Sequence, residues 1–145
     1  MKKLIIAFLL LTGAVLGTAA QDKKKIDTTE VPAAVMSTFN STFPNSSDMK
    51  WKKKDNHYLV SFTMSNSNHY AKIDQTGKVI SKGMEIPLSQ LPGPVTAGIQ
   101  RDYPDYKIDK AFTLVENGTT NYKVSFEGKE DRKIVYDATG TRLKE

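Results

Sequence analysis

From Val31 to Gly140 the chain passes the same landmarks twice in the same order, so it must fold as two like units. Val31-Pro32-Ala33-Ala34-Val35 returns as Leu91-Pro92-Gly93-Pro94-Val95, sixty residues on. At the same spacing Phe39 meets Ile99, Phe43 meets Tyr103 and Pro44 meets Pro104. Tyr58-Leu59-Val60-Ser61-Phe62 returns as Tyr122-Lys123-Val124-Ser125-Phe126, and Ile73-Asp74-Gln75-Thr76-Gly77 as Tyr136-Asp137-Ala138-Thr139-Gly140. The offset drifts between 60 and 64 residues, so small loop insertions separate the copies.

Each copy opens with a helical pattern. Val31, Val35, Phe39 and Phe43, and likewise Leu91, Val95, Ile99 and Tyr103, recur every fourth residue and share one helix face. Thr29 and Ser89 are the candidate N-caps, and Pro44 and Pro104 the stops. Gly93, Pro94 and Gly98 weaken the second helix, so packing must hold it. The chain then alternates. Tyr58, Val60, Phe62 and Met64 point one way and Leu59, Ser61 and Thr63 the other; Tyr122, Val124 and Phe126 repeat this against Lys123, Ser125 and Glu127. The Asp-x-x-Gly segments at Asp74 and Asp137 read as hairpin turns. Further strands are expected over 49–54, 108–114, 78–82 and 141–144. The expected fold class is α+β: two tandem helix-plus-four-strand antiparallel units in one continuous sheet, with both helices on one face and the other face open to solvent. Ile86-Pro87-Leu88 is expected to be a packed-down linker.

At the N-terminus, Met1-Lys2-Lys3, the apolar run Leu4 to Leu16 and the small residues Thr18-Ala19-Ala20 read as a cleavable export signal with cleavage near Ala20. The expected division is signal peptide 1–20, N-terminal tail 21–30 with Lys23-Lys24-Lys25 as a flexible solubilising segment, first repeat 31–85 and second repeat 86–145. No membrane span is expected after cleavage. The chain has no Cys, which excludes disulfides, thiolate nucleophiles and Cys-ligated metals; two His exclude a three-His centre. An export signal without cysteines suits a periplasmic or secreted bacterial protein. The net charge of +5, of which Lys2 and Lys3 supply two, is too small to argue for nucleic acid.

The pattern of export signal, Val31-Pro32 helix ending at Phe43-Pro44, strands, Asp-x-x-Gly hairpin, and the whole set again from Leu91-Pro92 resembles the PepSY-like, β-lactamase-inhibitor-like proteins of the bacterial periplasm. The resemblance covers roughly 26–145. It implies a continuous antiparallel sheet as in β-lactamase inhibitor proteins, and a role in binding or inhibiting another protein. It brings no catalytic residues.

The candidate partner-binding positions lie on the open face: Leu59, Ser61, Thr63, Tyr70 and Lys72 from the first copy, Lys123, Ser125, Lys133 and Val135 from the second. The expected partner is an envelope or secreted protein of unknown identity, with no cofactor. Lys50-Trp51-Lys52-Lys53-Lys54 has two readings: an anionic contact patch anchored by Trp51, or an edge strand guarded by Lys with Trp51 in the core. His57 and His69 flank one hairpin and could face each other across it. Asp102, Asp105 and Asp109 lack the dense spacing of a calcium loop. No nucleophile–base set, phosphate loop or zinc motif is present, so the expectation is a non-enzyme. A small-ligand or calcium-responsive periplasmic sensor is the alternative.

Overall fold

Segments of alternating polarity, about eight residues long and punctuated by Asp, Asn and Gly, close most cheaply as hairpins. The computed structural model describes residues 24–144. The export signal and its cleavage site lie outside the described residues. Nine strands form one antiparallel sheet in chain order: β1 (Lys24–Ile26), β2 (Ser47–Lys54), β3 (His57–Met64), β4 (Ser67–Asp74), β5 (Val79–Ile86), β6 (Ile108–Glu116), β7 (Thr119–Phe126), β8 (Lys129–Tyr136) and β9 (Arg142–Lys144). Two helices interrupt the meander, α1 (Ala33–Thr42) before β2 and α2 (Gly93–Asp102) before β6. The β3–β4 turn uses Ser65 and Asn66, and the β6–β7 turn Asn117 and Gly118, all at positive φ. Two consecutive left-handed residues match the right-handed twist of the strands they join.

The helices cover one side of the sheet. Val35, Phe39 and Phe43 pack with Trp51, Tyr58, Val60, Phe62, Ala71 and Ile73 in a first core. Val95, Ile99 and Tyr103 pack with Ile86, Ala111, Val124, Phe126, Ile134 and Tyr136 in a second. Register shows that both cores share a face. Val60, Ala71 and Lys82 lie in one cross-strand row, and Ile86, Ala111, Val124 and Ile134 in another. Lys82 and Ile86 are four residues apart on β5 and therefore point the same way.

The two Asp-x-x-Gly turns are built alike and dock on the helices. Asp74 Oδ1 accepts from the backbone N–H of Thr76 and Lys78 and from the Thr76 hydroxyl, at 2.9, 3.0 and 2.6 Å. Asp137 Oδ1 accepts from Thr139 and Thr141 at the same three distances. Gly77 carries a φ of +93° and its carbonyl accepts from the Thr38 hydroxyl at 2.7 Å. Gly140, at +85°, presses on α2 where Gly98 leaves room: a Cβ on Gly98 would stand 2.4 Å from the Gly140 carbonyl oxygen. The glycine that weakens α2 as a helix is therefore what lets the turn seat.

Four expectations need correction. Residues 24–26 are not a loose tail: Lys24, Lys25 and Ile26 pair with Lys53, Lys52 and Trp51, and Ile26 enters the first core. The apolar Ile26 is the reason, since burying it anchors a strand that its lysines would otherwise leave solvated. Among the described residues the sheet accordingly has nine strands rather than about eight. Thr29 and Ser89 do not cap the long helices; they sit in short 3-10 turns, Thr28–Glu30 and Leu88–Gln90, and Pro32 and Pro92 hold the cap positions. Thr29 instead donates its backbone N–H to Asp27. The packed-down linker is half right, with Ile86 buried at the end of β5 and Leu88 45% exposed.

Candidate functional site

β5 and β6 join the copies, and the Tyr70 side chain crosses that seam. Tyr70 projects from β4 over Gly83 of β5, and its hydroxyl donates to the Thr113 carbonyl of β6. Only glycine permits this crossing: a Cβ at Gly83 would stand 2.5 Å from the Tyr70 ring and 1.9 Å from the Thr113 carbonyl oxygen. Thr113 answers from the other copy, its hydroxyl accepting from the Met84 N–H at 3.1 Å. The Tyr70 ring meets Phe112 edge-on at 5.9 Å, and Lys123 Nζ lies 3.8 Å from the Tyr70 ring centre and 5.6 Å from that of Phe112. Desolvation raises the Tyr70 phenol well above the ordinary tyrosine range, so it stays protonated and remains a donor.

Around this centre the open face carries the same row twice. Lys50, Ser61 and Tyr70 are cross-strand neighbours in the first copy. Lys110, Ser125 and Lys133 are neighbours in the second. Lys50, Ser61 and Tyr70 of the first row and Lys110 and Lys133 of the second line one cleft of about 360 Å³, with Asp48, Thr63, Asn68, Glu85, Phe112 and Lys123 among its other walls. The cleft shows that the sheet curls. Strands β2 to β8 would span roughly 29 Å if flat, yet Lys50 and Lys133 share this space.

The ionic balance of the cleft is four lysines against Asp48 and Glu85. Glu85 accepts from the Asn68 amide at 2.7 Å. The ion pairs Arg101–Asp102 and Lys107–Glu127 lie outside the cleft.

The positions expected from sequence divide three ways. Ser61, Thr63, Tyr70, Lys123 and Lys133 come together in the cleft. Leu59 and Lys72 border a separate hollow with Lys54, Asp55 and His57. Ser125 and Val135 are each 5% exposed and offer no surface, which corrects the expectation. Ser125 lies in register between Lys110 and Lys133, and Val135 beside Lys123. Lys110, Phe112, Asn68 and Glu85 were missed. The sixty-residue offset pairs Lys50 with Lys110 and could have found that one.

The other candidates separate. Trp51 is a core residue, edge-on to Phe39 at 5.2 Å, so it anchors nothing outside. His57 pairs with Asp74 and shares the open face with Leu59, whereas His69 pairs with Phe62 on the helix side and stacks on it at 5.5 Å. The two histidines are therefore on opposite faces. Asp102 is taken up by Arg101 at 2.9 Å and by the Tyr136 hydroxyl at 3.1 Å. Among the described residues no three His, Asp or Glu converge as metal ligands.

Comparison with known proteins places this geometry. The sequence matches no curated protein. Solved structures of the same fold include a "putative periplasmic" protein from Bacteroides eggerthii DSM 20697, with TM-score 0.67 and 14% identity, covering 79% of this chain and 86% of that one. A DUF2874 family protein from Bacteroides ovatus ATCC 8483 gives 0.63 and 18%, covering 78% and 84%. A BLIP-like protein from Bacteroides fragilis NCTC 9343 gives 0.58 and 18%, covering 77% and 82%. One family, described as "Putative beta-lactamase-inhibitor-like, PepSY-like", matches the sequence twice, over residues 18–81 and 77–144. Matched in both of its halves, the chain belongs to the PepSY-like, β-lactamase-inhibitor-like family.

Proposed function

We propose that this is a non-catalytic periplasmic binding protein that docks another envelope or secreted protein on the open face of its sheet and inhibits it. The observation that carries the reading is the cleft to which both copies contribute, with Lys50 and Ser61 from the first and Lys110 and Lys133 from the second around the Tyr70–Phe112–Lys123 centre. Aromatic side chains held rigid suit a protein interface, because they supply contact area at small entropic cost. The inhibitor-like family and the structural likeness to proteins described as periplasmic support the reading. The test is capture of partners from a native envelope extract by the mature chain, repeated with Tyr70→Ala and Lys123→Ala. Loss of the captured protein in both variants supports the face; unchanged capture in both sinks it. Inhibition is then read by assaying the captured protein with and without the mature chain.

A further inference from the structure

The cleft is not evenly charged along its length, and its asymmetry specifies an occupant. At the second-copy end, Lys110 and Lys133 flank Ser125, and Lys123 lies two residues along β7 from it. Their Cα atoms form an arc roughly 10 Å across, from two strand spacings. Lys110 and Lys133 have no ion-pair partner among the described residues. The middle of the cleft is aromatic, with Tyr70 and Phe112. Glu85 stands there too, in register with Phe112, and at the first-copy end Lys50 is accompanied by Asp48.

Taking the open-face reading as its basis, we infer that the partner inserts an extended acidic peptide segment. Its carboxylates meet Lys110 and Lys133, and an apolar side chain rests against Phe112 beside the Tyr70 ring that Lys123 covers. Alternate residues of an extended chain present side chains on one face about 7 Å apart, which fits within the lysine arc. A single phosphate is too small to span it. A uniformly anionic polymer would press its remaining charges against Asp48 and Glu85, and like charges across an interface reject a partner. Discrete acidic residues beside an apolar one satisfy every part of the cleft.

The experiment is selection of a random displayed peptide library on the mature chain, followed by affinity measurement of the enriched peptides. Heparin and phosphatidylglycerol vesicles are run as separate arms. Enriched sequences should carry acidic residues at alternate positions around an apolar one. Lys110→Glu with Lys133→Glu should weaken them by at least about tenfold, as expected when rim charges are reversed. Lys110→Arg with Lys133→Arg should retain them, and both exposed pairs should leave the circular dichroism spectrum unchanged. Enriched peptides without acidic bias that are lost on Tyr70→Ala would keep the open-face reading and overturn the acidic one. Peptides insensitive to every substitution on this face, or no enrichment, would overturn both. Tighter binding of heparin or vesicles than of any peptide, lost in the charge-reversed variant, would assign the face to a polyanion and overturn the proposal.

Discussion

Where the first copy packs Phe43, Trp51 and Ile73 beneath its helix, the second places Tyr103, Ala111 and Tyr136 at the matching positions. The first core is a stack of rings: Phe39 lies 5.5 Å from Phe43, 5.2 Å from Trp51 and 5.1 Å from Phe62. The second core takes phenols and ties them down at the end of α2. Tyr136 donates to Asp102 at 3.1 Å, Arg142 donates to the Tyr103 hydroxyl at 3.0 Å, and Arg101 donates to the Gly140 carbonyl at 3.2 Å. The Trp51 indole N–H, by contrast, is buried without a partner among the described residues. One scaffold thus accepts either solution: it fixes period and volume, and in the second copy a helix end and a turn satisfy the added phenols.

The largest effect that would test this contrast is in the cores. Phe39→Ala should cost about 3–5 kcal/mol and Ile99→Ala about 2–4 kcal/mol, measured by urea unfolding. The two side chains belong to separate clusters, so the double variant should be additive within about 0.5 kcal/mol. Strong coupling would mean that the copies share a core after all.

Next come the turns. Gly140→Ala meets both a positive φ and a carbonyl oxygen 2.1 Å from the new Cβ, so it should cost about 3 kcal/mol or more. Gly77→Ala faces its nearest atoms at 2.9 Å and should cost about 2 kcal/mol. Gly128→Ala, with open space around it, should cost about 1 kcal/mol. Equal losses for Gly77 and Gly140 would erase the difference between a turn bonded to Thr38 and one seated on Gly98.

Tyr136→Phe should cost about 1 kcal/mol, the net value of one hydrogen bond, and should leave the first copy untouched in amide-exchange measurements. The smallest effect is the acid limb of stability. Asp74 and Asp137 are held below the ordinary carboxylate range first by the hydroxyls of Thr76 and Thr139, then by backbone N–H groups. A depressed folded pKa gives stability that is complete above the unfolded value of about 3.9 and is lost as pH falls through the folded one. Melting temperatures should therefore fall below about pH 4. Asp74→Asn and Asp137→Asn should each flatten that fall by the same amount, because the two turns are bonded alike.

Much of this was legible in the sequence for a physical reason. The period of four in Val35, Phe39 and Phe43 and the period of two in Tyr58, Val60 and Phe62 record which side each residue buries, and both survive in the structure. Ile26 was not legible because a three-residue strand is too short to show a period. The burial of Ser125 and Val135 was missed because parity assigns a face but says nothing of how far the neighbours on that face cover a position. The union of both copies in one cleft depends on the curl of the whole sheet, which no local pattern encodes.

Because the Tyr70 hydroxyl ends on the Thr113 carbonyl, through the gap left by Gly83, the halves are no longer interchangeable modules. The position matching Tyr70 in the second half is Lys133, so a gene rearranged to place that half first would leave the crossing without its phenol. A duplication that began with two equal copies has acquired a direction, and that direction is held by one tyrosine.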